Sequence, residues 1–68
     1  MSNKTTQSGI RVKLTGQNGN IFNLMGIVLM SLRMNGRRDL CEPLKQAVTS
    51  SKSYDEALAR IAEFVIVE

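Results

Sequence analysis

The segment from Ile21 to Met34 constrains the fold of this chain more than any other feature. It is almost wholly apolar, and most of its apolar residues recur at helical spacing. That stripe consists of Ile21, Phe22, Leu24, Met25, Val28, Leu29 and Leu32. A chain of 68 residues holds a single core, so a helix this apolar has to lie at its centre. We therefore predict a central helix over 21–34, closed by Gly36 as a left-handed cap.

Three further apolar residues of the segment fall outside this stripe, namely Ile27, Met30 and Met34. Two interpretations stay open for them. In the first, the other helices wrap around the central helix and bury all three, which suits a chain this short. In the second, they face another protein, a role that suits methionine because its flexible thioether adapts to irregular partners. Ile27, Met30 and Met34 are therefore the candidate protein interface.

The pentapeptide IRVKL, which precedes the helix, alternates strictly between apolar and basic residues. Ile10, Val12 and Leu14 point to one side of an extended chain. Arg11 and Lys13 point to the other side. This alternation predicts a half-buried β-strand.

The loop Thr15–Asn20 joins this strand to the helix and is rich in glycine and asparagine. A phosphate-binding loop would need a cation beside converging backbone N–H groups, and no Lys or Arg occurs from this loop to Leu32. We therefore predict a turn followed by a helix cap. Asn18 and Gly19 are the residues expected to accept a positive φ, and Asn20 is the expected N-cap.

The second half of the chain predicts two shorter helices. The apolar face of the first consists of Leu40, Leu44, Ala47 and Val48. Its start has two solutions: Asp39 and Glu42 form a capping box, or Glu42 is the cap and Pro43 takes the first helical position. The other helix opens with a Ser-x-x-Glu capping box. Its inward residues are predicted to be Tyr54, Ala57, Leu58, Ile61 and Phe64.

The chain closes with FVIVE, which is β-branched and apolar and predicts a short final strand. The predicted fold is therefore α+β, with the order β-α-α-α-β. Both strands hide their apolar faces only if they pair with each other and the helices cover one side. Alternating directions through three helices would make the two strands parallel, and one crossed helix would make them antiparallel, so the strand direction stays open. We predict a disordered tail over residues 1–9 and a single compact domain over 10–68.

The stretches VKLTGQNGNIF, TSSKSYDEAL and FVIVE together resemble a family of small bacterial and mobile-element proteins that has no established activity. The matching residues are Val12, Lys13, Leu14, Gly16, Gly19, Asn20, Phe22, Thr49, Ser50, Tyr54, Asp55, Phe64, Val65, Val67 and Glu68. The second helix diverges, because RRDLCEPLKQ replaces a more acidic stretch, and Phe64 stands where the family usually has Trp. The resemblance implies this fold and a phage or mobile-element origin, and it implies no mechanism.

Few residues of the chain offer catalytic chemistry. It has no histidine and one cysteine, Cys41, which excludes a disulfide framework, a zinc cluster and a Cys–His pair within one chain. Asp55 and Glu56 suit the first turn of the third helix, where acidic side chains face the positive end of the helix dipole. We predict that the protein is not an enzyme and uses no cofactor or metal. The lone cysteine and the polar N-terminus favour the cytoplasm and no membrane insertion.

The charges are unevenly spread along the chain. All six acidic residues lie at Asp39 or beyond, whereas residues 1–38 carry six basic residues. The basic cluster at the end of the first helix, extended by the strand, forms the candidate patch for a nucleic acid or an acidic partner: Arg11, Lys13, Arg33, Arg37 and Arg38. The ordinary interpretation of the cluster is that cations favour the negative end of the helix dipole.

We therefore predict a small, non-catalytic protein-interaction module, which binds a host protein or a second copy of itself through the methionine-rich helix or a strand edge. The alternative is a weak nucleic-acid-binding protein that uses the basic patch. Against the alternative, few aromatic residues are present to stack on bases. A ligand or enzymatic role for the Thr15–Asn20 loop ranks last.

Overall fold

The computed structural model describes residues 6–68 and has the predicted α+β architecture. Its elements are β1 (Arg11–Val12), α1 (Ile21–Met34), a 3₁₀ turn (Arg38–Leu40), α2 (Cys41–Thr49), α3 (Tyr54–Phe64) and β2 (Ile66–Val67). The order β-α-α-α-β is therefore confirmed, with the two strands contributed by the two ends of the domain.

The predicted tail over 1–9 lies partly outside the described residues. In its described part, the backbone N–H groups of Gln7 and Ser8 donate to the carbonyls of Glu63 and Phe64, each at 3.0 Å. The hydroxyl of Ser8 donates to the Phe64 carbonyl as well, at 2.6 Å. These bonds join residues 7 and 8 to the end of α3.

The two strands pair with each other, as predicted, and the sheet is parallel, which decides the direction that the sequence left open; Val12 lies opposite Val67. Hydrogen bonds continue the pairing beyond the strand ends. The N–H of Ile66 donates to the Ile10 carbonyl at 2.8 Å, and that of Glu68 donates to the Val12 carbonyl at 2.9 Å. The alternation predicted for residues 10–14 also holds, because Val12 and Leu14 are buried and Ile10 is partly buried, whereas Arg11 and Lys13 are exposed.

Both ends of α1 are capped as predicted. The side-chain oxygen of Asn20 accepts a hydrogen bond from the N–H of Phe22 at 2.9 Å. At the other end Gly36 has a φ of 75°, and the N–H of Arg37 reaches back to the Leu32 carbonyl at 2.7 Å. This is a Schellman motif, in which a left-handed glycine lets the chain turn back over the last carbonyls.

The turn that precedes α1 differs from the prediction. The residue with a positive φ is Gly16, at 84°, and neither Asn18 nor Gly19 has one. The N–H of Gln17 donates to the Leu14 carbonyl at 3.2 Å. The chain therefore makes a type II β-turn, which requires a positive φ at its third residue and so favours glycine there.

Neither predicted start of α2 is correct. The helix begins at Cys41, after the 3₁₀ turn Arg38–Leu40, and its N-cap residue makes no side-chain capping bond. Asp39 pairs with Arg37 instead of capping the helix. Pro43 is the third residue of α2, where its missing N–H costs no hydrogen bond because the first N–H groups of a helix have no partner within it.

The start of α3 is capped by Ser53 as predicted, because its hydroxyl accepts from the N–H of Glu56 at 3.0 Å. The carboxylate of Glu56 accepts from the N–H of Lys52, at 3.2 Å, one residue earlier than a standard capping box. Tyr54 is 46% exposed, and its hydroxyl donates to the Gly19 carbonyl. This bond holds the start of α3 beside the loop that leads into α1.

One core joins all the elements. Its buried residues are Val12, Leu14, Leu24, Val28, Leu32, Leu40, Leu44, Val48, Ala57, Ile61, Phe64 and Val65. Leu29 and Leu58, both predicted to be core, are only partly buried. The prediction is wrong for Phe22, which is 65% exposed. The buried stripe of α1 includes Leu24, and Phe22 lies two residues, or about 200°, away from it around the helix.

Candidate protein-binding face

The side of α1 that points away from the core exposes several large apolar side chains beside Asn23 and Arg33. Phe22, Met30 and Met34 are exposed by 65%, 54% and 79%, and Ile27 beside them is half-buried. Residues four apart lie on the same side of a helix, so Phe22, Gly26, Met30 and Met34 follow one line along it. We call this surface, with Ile27, the α1 outer face.

A shallow groove of about 500 Å³ runs along this face. Its lining residues are Phe22, Asn23, Gly26, Ile27, Met30, Ser31 and Met34. The three predicted interface residues, Ile27, Met30 and Met34, are therefore brought together in one groove. The interpretation that the other helices bury all three is wrong for the two methionines, because α2 and α3 pack against the opposite side of α1. None of these lining residues is charged.

Gly26 lies in the middle of the outer face. A Cβ atom added there would meet no heavy atom within 4 Å among the described residues, apart from the neighbouring backbone of its own helix. Glycine inside a helix costs about 0.5–1 kcal/mol relative to alanine. Nothing in the packing of the described residues requires a glycine at this position.

Phe22 extends the apolar surface toward the other helices. It also lines a second concavity, of about 340 Å³, formed with residues of the α2–α3 connection. The other residues of that concavity are Ile21, Val48, Thr49, Ser51, Lys52, Ser53, Tyr54 and Ala57. Phe22 therefore belongs to the exposed surface, a role that the sequence prediction missed. Its spacing of four residues from Gly26 and eight from Met30 is the signal that could have placed it there.

The two ends of the outer face have neighbours of opposite charge. Arg33 is exposed in the last turn of α1. At the other end, the hydrogen bond from Tyr54 to Gly19 places the first turn of α3 beside the start of α1. That turn contains the acidic residues Asp55 and Glu56. One end of the face therefore has Arg33, and the other is next to a turn that contains Asp55 and Glu56, with Lys52 in the concavity between them.

The predicted basic patch is divided between two elements. Arg11 lies in β1 and Lys13 directly follows it, whereas the three remaining cations, Arg33, Arg37 and Arg38, lie at the end of α1 and just beyond it. Arg11 pairs with Glu68 at 3.5 Å, and Arg37 pairs with Asp39 at 3.2 Å. Two of the five cations are thus already paired within the chain.

The pairing of Arg37 with Asp39 affects both groups. The hydrogen bonds from the guanidinium, at 3.2 Å each, lower the pKa of the Asp39 carboxyl below its ordinary value. The same bonds, and the carboxylate charge, raise the pKa of Arg37. Both side chains lie at the surface, so the pair is a local stabiliser of the loop after α1 and contributes little to the fold.

Other chemistry within residues 6–68 is sparse. Cys41 is a half-buried free thiol whose Sγ lies 3.8 Å from the Leu29 carbonyl. No cluster of three or more His, Cys, Asp or Glu side chains that could hold a metal ion occurs in this part of the chain. Among the described helices, none has the length and apolarity needed to cross a membrane.

Comparisons of the chain with protein-family models, with curated proteins and with solved structures find no match. Function is therefore inferred from the geometry of residues 6–68, among which the α1 outer face is the most distinctive surface.

Proposed function

We propose that the protein is a non-catalytic interaction module that binds another protein, a host protein or a copy of itself, through the α1 outer face. The observation that carries the proposal is the exposure of Phe22, Met30 and Met34 on one side of a single helix. Apolar patches of this kind on a small domain are typical of interaction sites. A reducing, cytoplasmic setting is part of the proposal, supported by the free thiol of Cys41.

The energetics favour covering this face. Full burial of a Phe or Met side chain contributes about 1.5–3 kcal/mol by removing apolar surface from water. Phe22, Met30 and Met34 each keep more than half of their surface exposed in the isolated chain. Methionine also adapts its shape to a partner, and a Met sulfur beside an aromatic ring adds a favourable contact. A partner that covers all three side chains would therefore gain several such increments together.

The second candidate function is nucleic-acid binding by the basic patch. It has support from Lys13, Arg33 and Arg38, which take part in none of the ion pairs formed among residues 6–68. Binding of this kind would be driven by phosphate contacts and would weaken steeply with salt. We expect no stable complex with duplex DNA or RNA at physiological salt in a mobility-shift assay. A complex that persists there, and that is lost when these three residues are replaced by Ser, would make nucleic-acid binding the leading function.

Site-specific photo-crosslinking tests the protein-binding proposal. A photoreactive amino acid is placed at Met30 in one variant and at Ala59, an exposed residue of α3, in a matched control. We expect discrete protein adducts, with a partner or with a second copy, from position 30 and few from position 59. Equal labelling from both positions, or none from position 30 in cells or at high protein concentration, would refute the role of the outer face.

A further inference from the structure

We propose that the partner of the α1 outer face is a second copy of the same chain, with the two α1 helices crossing antiparallel about a two-fold axis beside Gly26. The inference rests on the proposed function, because it names the partner of that face. Three features of the face fit a copy of itself: a central glycine, apolar residues placed symmetrically around it, and opposite charges near its two ends.

Gly26 provides the closest approach. Glycine destabilises the helix at this position, although the described residues leave room for a larger side chain. Because glycine has no Cβ atom, it allows another backbone to approach the helix closely. A second backbone above Gly26 would explain both the open space and the residue. In a two-fold arrangement that backbone belongs to the Gly26 of the copy, so neither side chain keeps the helices apart.

The flanking residues are complementary under the same rotation. Phe22 lies four residues before Gly26 and Met30 lies four residues after it. An antiparallel crossing centred on Gly26 therefore sets Phe22 of one copy against Met30 of the other, and the symmetry makes this contact twice. A ring against a thioether sulfur is a favourable pair. A parallel crossing would instead place like against like, ring on ring and sulfur on sulfur.

The charges also favour the antiparallel crossing. Arg33 lies seven residues after Gly26, so the rotation carries it toward the Gly19 end of the copy's α1. The acidic first turn of α3, with Asp55, adjoins that end because Tyr54 is hydrogen-bonded to Gly19. Neither Arg33 nor Asp55 belongs to an ion pair formed among residues 6–68. The antiparallel crossing thus brings Arg33 of one copy toward Asp55 and Lys52 of the other, whereas a parallel one would pair Arg33 with Arg33.

The size of the face indicates a reversible dimer. A helix of 14 residues is about 21 Å long, and its exposed side alone gives a footprint smaller than the roughly 800 Å² per partner of a standard stable interface. The concavity beside Phe22 extends the footprint toward α2 and α3. We therefore expect monomer and dimer to exchange over a concentration range that sedimentation can cover.

Disulfide trapping tests the arrangement. In a Cys41→Ala background, Gly26→Cys places one thiol per chain beside the proposed axis, within the short Cα separation that a disulfide needs. Ala59→Cys, on the exposed side of α3, is the matched control. Circular dichroism first establishes that both variants are folded. We expect Gly26→Cys to form a covalent dimer under mild oxidation well before the control does. Equal rates in the two variants would overturn the proposed geometry.

The Gly26→Leu variant distinguishes the proposed antiparallel dimer from non-specific hydrophobic association. Leucine adds apolar surface, so non-specific association would become stronger. In the proposed dimer its side chain blocks the backbone approach, so sedimentation should show dimerisation weakened by about tenfold or more. The folded monomer should gain stability, because leucine is the better helix former. Association that is unchanged or stronger in Gly26→Leu would contradict the inference.

The outcome also distinguishes this inference from the proposed function. If the wild-type protein is a monomer at millimolar concentration while the photoreactive residue at position 30 still labels a different protein, the second copy is refuted and the protein-binding face stands. If position 30 labels nothing, both are refuted. If the purified chain dimerises and Gly26→Cys traps that dimer, both are supported.

Discussion

The two sides of α1 are made of similar residues and have different surroundings. Leu24, Val28 and Leu32 are buried, with exposures of 4%, 0% and 0%, whereas Met30 and Met34, two residues farther along, are 54% and 79% exposed. Apolar character therefore does not decide which side is covered. What decides it is the limited supply of other elements, because two short helices and two short strands suffice to cover one side of a 14-residue helix.

The two sides are therefore stabilised by the same force in different steps, one in folding and the other in association. The buried side contributes its favourable free energy during folding, because folding removes its apolar surface from water. The outer side gains the same free energy only when another molecule covers it. Substitutions on the buried side should therefore change the free energy of unfolding, whereas substitutions on the outer side should change the affinity of association.

The largest expected effect is on the buried side. Leu32→Ala should lower the free energy of unfolding by about 2–5 kcal/mol, because it leaves a cavity in a fully covered site. Met30→Ala, the matched change on the outer face, should lower it by no more than about 0.5 kcal/mol. Urea denaturation of dilute protein measures both. Similar losses in the two variants would mean that the two sides of α1 are not distinct.

Two glycines, Gly36 just beyond the end of α1 and Gly26 on its outer face, should respond in opposite ways to substitution by alanine. Gly36→Ala should cost about 1 kcal/mol or more, because its φ of 75° is strained for a residue with a Cβ atom. Gly26→Ala should raise the free energy of unfolding by about 0.5–1 kcal/mol, since the added methyl group meets open space in a helix interior. Thermal unfolding of the two variants should therefore shift in opposite directions. A loss of stability in dilute Gly26→Ala would show that this glycine serves the fold of the monomer.

Charges placed on the outer face give a smaller expected change in folding. The double variant Met30→Lys, Met34→Lys should keep its helical circular dichroism and its unfolding midpoint within about 0.5 kcal/mol of the parent, because both side chains point into solvent. Its association, measured by light scattering, should be lost. An unfolded double variant would place the two methionines in the core.

The smallest expected effect lies just beyond the C-terminal end of α1. The pKa of Asp39 should lie below its ordinary value, because Arg37 donates two hydrogen bonds to its carboxylate. The folded-state pKa is the lowered one, so this pair stabilises the protein above the unfolded pKa of about 3.9 and ceases to do so as pH falls through the folded value. An NMR titration should find the pKa rising in Arg37→Gln. An unchanged value would show that the pair does not form in solution.

Much of the fold was predictable because local rules agree with the global arrangement. The caps at Asn20, Gly36 and Ser53 follow from side-chain chemistry within one turn of the chain. The pairing of the two strands follows from the requirement that both hide their apolar faces, whereas their parallel direction depends on how the three helices cross and was decided only by the structure. The errors lie where two local solutions compete. At the start of α2, Asp39 is able either to cap a helix or to pair with Arg37. The backbone conformation of the 3₁₀ turn decides between the two, and it is not evident from the sequence.

The candidate site was predictable in part. Ile27, Met30 and Met34 stood out because one core does not need them. Helical spacing places Phe22 in the apolar stripe, but it lies at the edge of that stripe and is 65% exposed in the structure. The openness above Gly26 could not be read from the sequence, since it depends on which neighbours fail to reach that point.

The pairing of β1 with β2 has a consequence for how the protein is made. During synthesis β1 leaves the ribosome first, and its partner, Ile66–Val67, is 55 residues behind it in register. The sheet therefore cannot close until nearly the whole domain has emerged from the exit tunnel. The N–H groups of Leu14 and Thr15 both donate to the carbonyl of Glu68, so the hydrogen bonds of the turn before α1 are complete only when Glu68 has emerged. The helices are able to form during translation, whereas the fold is completed only after Glu68 has emerged.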